Sequence, residues 1–161
     1  MSTAVEIRPA IDRDREAIQQ MAQEVVDAGD AFVFDAVPDV MDYWSQPGGH
    51  VFVATRGADV LGTYVIKPNQ KGRGSHVANT GYMVSKAARG LGLGRSMGEH
   101  SLTMARELGF TAMQFNMVVA TNESAVRLWE SLEFEVVGRL PRVFRHADLG
   151  HVDALIMFRA L

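Results

Sequence analysis

Three glycines fall within five positions, between two arginines, in "ARGLGLGRS" at residues 88–96. The run follows a strand-like stretch, "ANTGYMV", and leads into a helix-like one, "GEHSLTMAREL". Glycine lets backbone approach a bulky partner closely, and free N–H groups at a helix start attract anions. These residue types point to a phosphate, with Arg89 and Arg95 placed for charge-assisted contacts. A tight glycine turn with no ligand would use the same glycines. Two familiar nucleotide loops fit less well. The Gly-Lys-Ser/Thr ending of an ATPase P-loop is missing. A dinucleotide fingerprint is matched only loosely from Gly92 and Gly94, with Met97 where its third glycine belongs. No acidic residue ends a following strand about 20 residues on, where a ribose would need it.

The elements around this loop can be read from periodicity. "VEIR" (5–8) is a short strand ended by Pro9. Asp12 or Asp14 then caps a helix in which Ile18, Met21, Ala22, Val25 and Val26 share one face. An irregular stretch follows, with a short helix from Pro38 to Trp44. "HVFVAT" and "VLGTYVI" form a hairpin across "RGAD", and "SHVANTGYMV" is a third strand reached through a polar loop. After the glycine loop comes a helix carrying Met97, Met104, Ala105 and Leu108, closed by Gly109. "TAMQFNMVV" is a strand, and Asn122 caps a helix with Ala125, Leu128, Trp129 and Leu132 at i, i+3, i+4, i+7. "FEVVGRL" and "VDALIMFRAL" are the last two strands. The order β, α, α, β, β, β, α, β, α, β, β makes a mixed α/β domain, part meander and part βαβ crossover.

Composition bounds the rest. A chain of 161 residues suits a single domain, here 1–161, with 47% hydrophobic and 22% charged residues. The net charge of −3 creates no basic field for nucleic acid or anionic membrane. With no cysteine, disulfides, thiolate metal sites and a Cys nucleophile are excluded. "MSTAVEIRPA" has neither the basic nor the apolar region of a signal peptide, and no apolar run reaches membrane length, so a cytoplasmic location is expected. His146 and His151 flank the turn "ADLG" without enough further ligands for a metal, and none is expected.

Arg89-x-x-Gly92-x-Gly94, after a strand and opening a helix, resembles the pyrophosphate loop of the GCN5-related N-acetyltransferase (GNAT) superfamily. Asn122-x-x-Ala125-x-x-Leu128-Trp129-x-x-Leu132-x-Phe134 is similar to that family's second motif. "NTGYMV", "QFNMVVATNESAVRLWESLEFEVVGRLP" and "HVDALIMFRAL" most resemble the branch of proline-analogue (azetidine-carboxylate) N-acetyltransferases and their bacterial relatives. The resemblance implies a seven-stranded, mostly antiparallel sheet with a central V-shaped splay, flanked by about four helices. It implies acetyl-CoA as acetyl donor, a small-molecule amine as acceptor, direct attack in a ternary complex, and a homodimer. Backbone around Met83 and Val84 would pair with the pantetheine arm. The N–H groups of Arg89, Gly90, Leu91, Gly92, Leu93, Gly94 and Arg95 would hold the pyrophosphate, with Asn122 and Trp129 also on the cofactor. Asn79 and Asn116 match asparagines that serve substrate or catalysis in the narrower branch. Phe34 and Asp35 fall where the family's acceptor loop lies.

The chain also departs from the family pattern. Where a tyrosine usually acts as general acid it has Trp129, whose indole N–H is a poor acid but can pack on the pantetheine or hydrogen-bond a sulfur. The strand before the glycine loop offers no glutamate as base, and His76 falls on the opposite strand face from Asn79. The oxyanion donor is expected to be a backbone N–H near Met83, at a bulge. Glu133 replaces a glycine at the end of the second motif. An acyl-CoA-binding domain without catalysis and a protein N-terminal or lysine acetyltransferase remain as alternatives.

Overall fold

Hydrophobic periodicity of two alternates with periodicity of 3.6 along the chain, and each segment forms the element its period favours. The computed structural model describes residues 4–161; the first three residues of the expected domain lie outside the described part. The strands are β1 (Glu6–Pro9), β2 (His50–Arg56), β3 (Asp59–Pro68), β4 (Val77–Val84), β5 (Ala112–Val119), β6 (Glu135–His146) and β7 (Gly150–Ala160). The helices are α1 (Arg15–Ala28), α2 (Val37–Trp44), α3 (Leu93–Glu107) and α4 (Glu123–Ser131). No helix among the described residues is long and apolar enough to cross a membrane.

The strands make one sheet in the order β1-β2-β3-β4-β5-β7-β6. Every neighbouring pair is antiparallel except β4 and β5. Strand alternation sends Val53, Val65 and Met83 to one face, where Ile18, Met21 and Ala22 of α1 and Val40 and Trp44 of α2 cover them. Tyr64, Ile66, Met113 and Phe115 leave the other face and pack beneath Met97 and Leu102 of α3 and Trp129 of α4. Two apolar layers thus hold the sheet from both sides.

Two local expectations are corrected by side-chain chemistry. Neither Asp12 nor Asp14 caps α1 through its side chain. Asp14 is 2% exposed and instead receives Arg8 Nη1 and Nη2 at 2.7 and 2.9 Å and the Ile11 N–H at 2.9 Å. The last strand pair also runs further than the expected end at Leu140. Between Leu140 and Phe144 the register slips against β7, and Arg142 takes φ +55°. Asp153 holds this bulge by accepting from Arg139 Nε at 2.7 Å and the Arg142 N–H at 2.9 Å. Pairing then resumes beyond Pro141.

The Arg8 hydrogen bond holds the Asp14 carboxyl below its ordinary value of 3.8. A depressed carboxylate contributes stability above its unfolded pKa and loses it as pH falls through the folded one. Asp14→Asn should therefore cost about 1–3 kcal/mol at pH 7, and the gap from wild type should shrink as acid carries the protein below pH ~4. Urea unfolding of both proteins at pH 7 and at acid pH measures this. An equal gap at both pH values would show that the ion pair is not its source.

Candidate active site

β4 and β5 pair only at Val77↔Ala112 and Ala78↔Met113. From Asn79 onward they part, and the sheet opens into a V whose apex is Asn79. Two hydrogen-bonded pairs locate the free edge of β4. Ser85 N–H donates to Leu61 O at 2.9 Å and Asn69 N–H to Val77 O at 2.8 Å. Opposed residues in an antiparallel ladder alternate between bonded and non-bonded. The β3–β4 register is unbroken from Gly62↔Val84 to Pro68↔Ala78. Met83 therefore spends its backbone groups on Thr63, while Thr80, Tyr82 and Val84 turn theirs toward the splay. This corrects the expectation for Met83, whose side chain is buried under α1 and α2. β4 has no bulge against β3; the bulge is across the cleft in β5, between Phe115 and Val118.

The glycine loop lies just past β4. Lys86–Ala88 form a single 3-10 turn, Arg89 is extended and exposed, and Gly90 and Gly92 adopt φ +81° and +75°. Both glycines satisfy left-handed turns with open space around the missing Cβ. Gly92 caps α3, and Ser96 is the first residue to return an N–H into the helix, to Gly92 O at 3.2 Å. The N–H groups of Leu93, Gly94 and Arg95 are left to face an anion at the positive end of the helix dipole. Gly94 has another job: a Cβ there would meet Leu128 Cδ2 at 3.2 Å, so its small size lets α4 approach α3. The Arg95 guanidinium is engaged with Glu99 at 3.0 Å and Ser131 Oγ at 3.1 Å, and Leu91 is exposed.

A cleft of about 430 Å³ occupies the splay. Asn79, Asn116, Asn122, Trp129 and Phe34 all line it, whereas Asp35, Met83, Val84 and the loop residues 89–95 do not. Asp35 is exposed, 3.9 Å from Arg145. His76 is exposed and offers its carbonyl to Thr111 N–H at 2.9 Å. Asn79 bridges the apex, with Oδ1 accepting from Tyr43 Oη at 2.6 Å and Nδ2 donating to the Gln114 carbonyl at 3.1 Å. Asn116, carried by the β5 bulge, donates to Asn69 Oδ1 at 2.7 Å and accepts from Gln114 Nε2 at 2.9 Å. Asn122 caps α4 through Ala125 N–H. Trp129 packs on Tyr82 and Phe115, with centroids 4.8 and 4.7 Å apart.

Tyr43, Lys67 and Asn69 also line the cleft, and sequence reading alone did not single them out. Only the register of β3 against β4 brings Lys67 beside Asn79. The ionisable side chains of the lining are Tyr43, Tyr82 and Lys67. Burial raises both phenols to about 12, so they are protonated at neutral pH, and it lowers the Lys67 ammonium from 10.5.

Between its parallel pair, β4 and β5, the otherwise antiparallel sheet opens into a V, and the glycine loop and the start of α3 follow the splayed strand β4. The sequence profile of the acetyltransferase (GNAT) family matches residues 17–134. The chain belongs to the GNAT family. Among solved structures, a GNAT protein from Kribbella flavida is 39% identical, with a TM-score of 0.92 and 98% of each chain covered. The protein yncA from Salmonella typhimurium, solved with its cofactor acetyl-CoA, shares the fold at TM-score 0.85 and 24% identity over 98% of this chain and 94% of its own. N-acetyltransferase aca1 of Schizosaccharomyces pombe is 42% identical over 98 residues, 60% of this chain. The match spans only 47% of aca1, about half its length. The α/β architecture expected for the GNAT fold, with seven strands, four helices and a central splay, is the one observed.

Proposed function

We propose that this GNAT chain transfers the acetyl group of acetyl-CoA to the amine of a small molecule, an amino acid or proline analogue, as a cytoplasmic homodimer. The observation that carries the reading is the splay at Asn79, beyond which Tyr82 and Val84 turn their backbone groups away from β3, on the strand that leads into the glycine loop and the start of α3. Acetyl-CoA fits that geometry. Its pantetheine amides would complete the free edge of β4, and its pyrophosphate would meet the N–H groups of the Arg89–Arg95 loop. The exposed Val136, Val137 and Val143 on edge strand β6 support the dimer.

The acceptor attacks as a neutral amine; its nitrogen bonds to the thioester carbon, and the carbonyl oxygen becomes an oxyanion. The N–H of Tyr82 is the donor turned toward that oxygen. The carbon–sulfur bond then breaks, CoA leaves as thiolate, and the proton lost by nitrogen ends on sulfur or in water. A thiol pKa of about 8.5 lets the thiolate leave without an enzymic acid. Asn79 and Asn116 orient the amine, because an amide accepts from N–H while donating elsewhere.

CoA release measured over a panel of amines tests the reading, with turnover of at least one small amine expected. Acetyl-CoA binding with no turnover on any amine or peptide would favour a binding domain without catalysis, which Trp129 in the usual tyrosine position supports. Turnover confined to peptides would favour a protein acetyltransferase.

Trp129 gives a separate check. Trp129→Phe should keep most activity, and Trp129→Ala should lose about 3–5 kcal/mol of stability, because the ring fills the space between Tyr82 and Phe115. Trp129→Tyr should raise turnover by less than about tenfold, or 1.4 kcal/mol of barrier. A larger rise in steady-state rate would show that leaving-group protonation limits the native protein.

A further inference from the structure

The acceptor end of the cleft is chemically one-sided. Among the described lining residues it holds the amides of Asn69, Asn79 and Asn116 and a single ammonium, Lys67, with no carboxylate. Lys67 is placed there by register, directly opposite Asn79 on the paired β3 and β4, so both side chains leave the sheet on the same face. Its Nζ lies 3.3 Å from the centroid of the Tyr43 ring and donates to Gln46 Oε1 at 3.1 Å. The ring face and the neutral amide fix the ammonium without neutralising it, and Lys67 joins none of the ion pairs among the described residues. A partly buried charge without a counter-ion carries a desolvation cost that an anionic ligand would offset.

We propose that Lys67 is the specificity-determining residue of the acceptor site, binding a carboxylate of the substrate and so selecting amines that carry an acid group. The inference rests on the acetyl-transfer reading above. With its carboxylate on Lys67, an amino-acid-type acceptor lies against Phe34 and Tyr43 and directs its nitrogen to the Asn79 and Asn116 amides at the apex. Polyamines and lysine side chains would bring further positive charge to a wall with no anion to receive it. The same Lys67 charge disfavours the ammonium form of a nearby acceptor, raising the share of neutral amine that can attack.

The test compares the standard amino acids and azetidine-2-carboxylate, each as free acid and as carboxamide, with wild type, Lys67→Met and Lys67→Arg. Methionine keeps an unbranched stem over Tyr43 and removes the charge. The wild type is expected to prefer acid over amide by about tenfold to a hundredfold in kcat/KM, the size of one charge-assisted contact. Lys67→Met should collapse that ratio toward one, chiefly by raising the KM of the acid, and Lys67→Arg should preserve part of it. Equal use of acids and amides by wild type overturns the proposal, as does a Lys67→Met loss that is the same for both. If wild type acetylates no amine, calorimetric titration of acids and amides into the CoA-saturated protein decides. Acid-selective binding that Lys67→Met abolishes sustains the subsite while the transfer reading falls; no acid selectivity overturns the subsite as well.

Discussion

Asn79→Ala is expected to cut turnover by about tenfold to a thousandfold, the range for a lost positioning or oxyanion contact. The side chain stands at the apex of the splay, where its two polar ends tie Tyr43 on α2 to the Gln114 carbonyl on β5. One Nδ2 hydrogen and one Oδ1 lone pair remain for the acceptor. Removing the amide leaves a half-buried phenol and a carbonyl unpaired, so about 1–3 kcal/mol of stability should be lost as well. Tyr43→Phe separates the two effects. It removes the same 2.6 Å hydrogen bond but keeps the Asn79 amide, and should retain most of the turnover. Acetyl-CoA affinity, read by calorimetry, should change little in either variant, because the glycine loop proposed to hold the pyrophosphate is untouched. Asn116→Ala should lower turnover in the same way or chiefly raise the acceptor KM. Wild-type rates in both asparagine variants would make these amides purely structural.

Gly92→Val should weaken acetyl-CoA binding by at least about tenfold, since a non-glycine residue in the left-handed region costs about 1–2 kcal/mol before any clash with a ligand. Gly92 holds φ +75° as the cap of α3, and the space its Cβ would occupy is open. The strain therefore falls on the loop conformation, and the steric cost appears when phosphate arrives. Gly94→Ala is the informative contrast. Its Cβ would press on Leu128, so it should loosen the packing of α3 on α4 and lower the melting temperature more than it changes affinity. A wild-type dissociation constant for Gly92→Val would remove the phosphate-loop reading.

The sequence by itself determined what depends on local physics. Among the described residues, apolar spacing set the seven strands and four helices, and the closely spaced glycines marked the left-handed turns before α3. Asn122 announced itself as a cap because its side chain bonds at short range, accepting from the Ala125 N–H and the Ser124 hydroxyl. The exchange of glycine for Glu133 was also visible, and the structure shows what it entails: φ +66° at that residue, with its carboxylate on Arg159 at 2.9 Å.

Tertiary structure decided everything that depends on register. Whether Met83 or its neighbours face the cleft turns on one residue of offset between β3 and β4, and a slip of one exchanges every such assignment. The free edge of β4, the β5 bulge that carries Asn116, and the meeting of Lys67, Tyr43 and Asn79 all follow from the pairing of the strands. Tyr43 and Asn79 are 36 residues apart, and no local propensity couples them. Asp14 makes the same point in the fold itself. As a helix-start residue it reads as a cap, but Arg8 of β1 lies within reach only once α1 has docked, and its two-pronged hydrogen bond outcompetes the helix N–H groups.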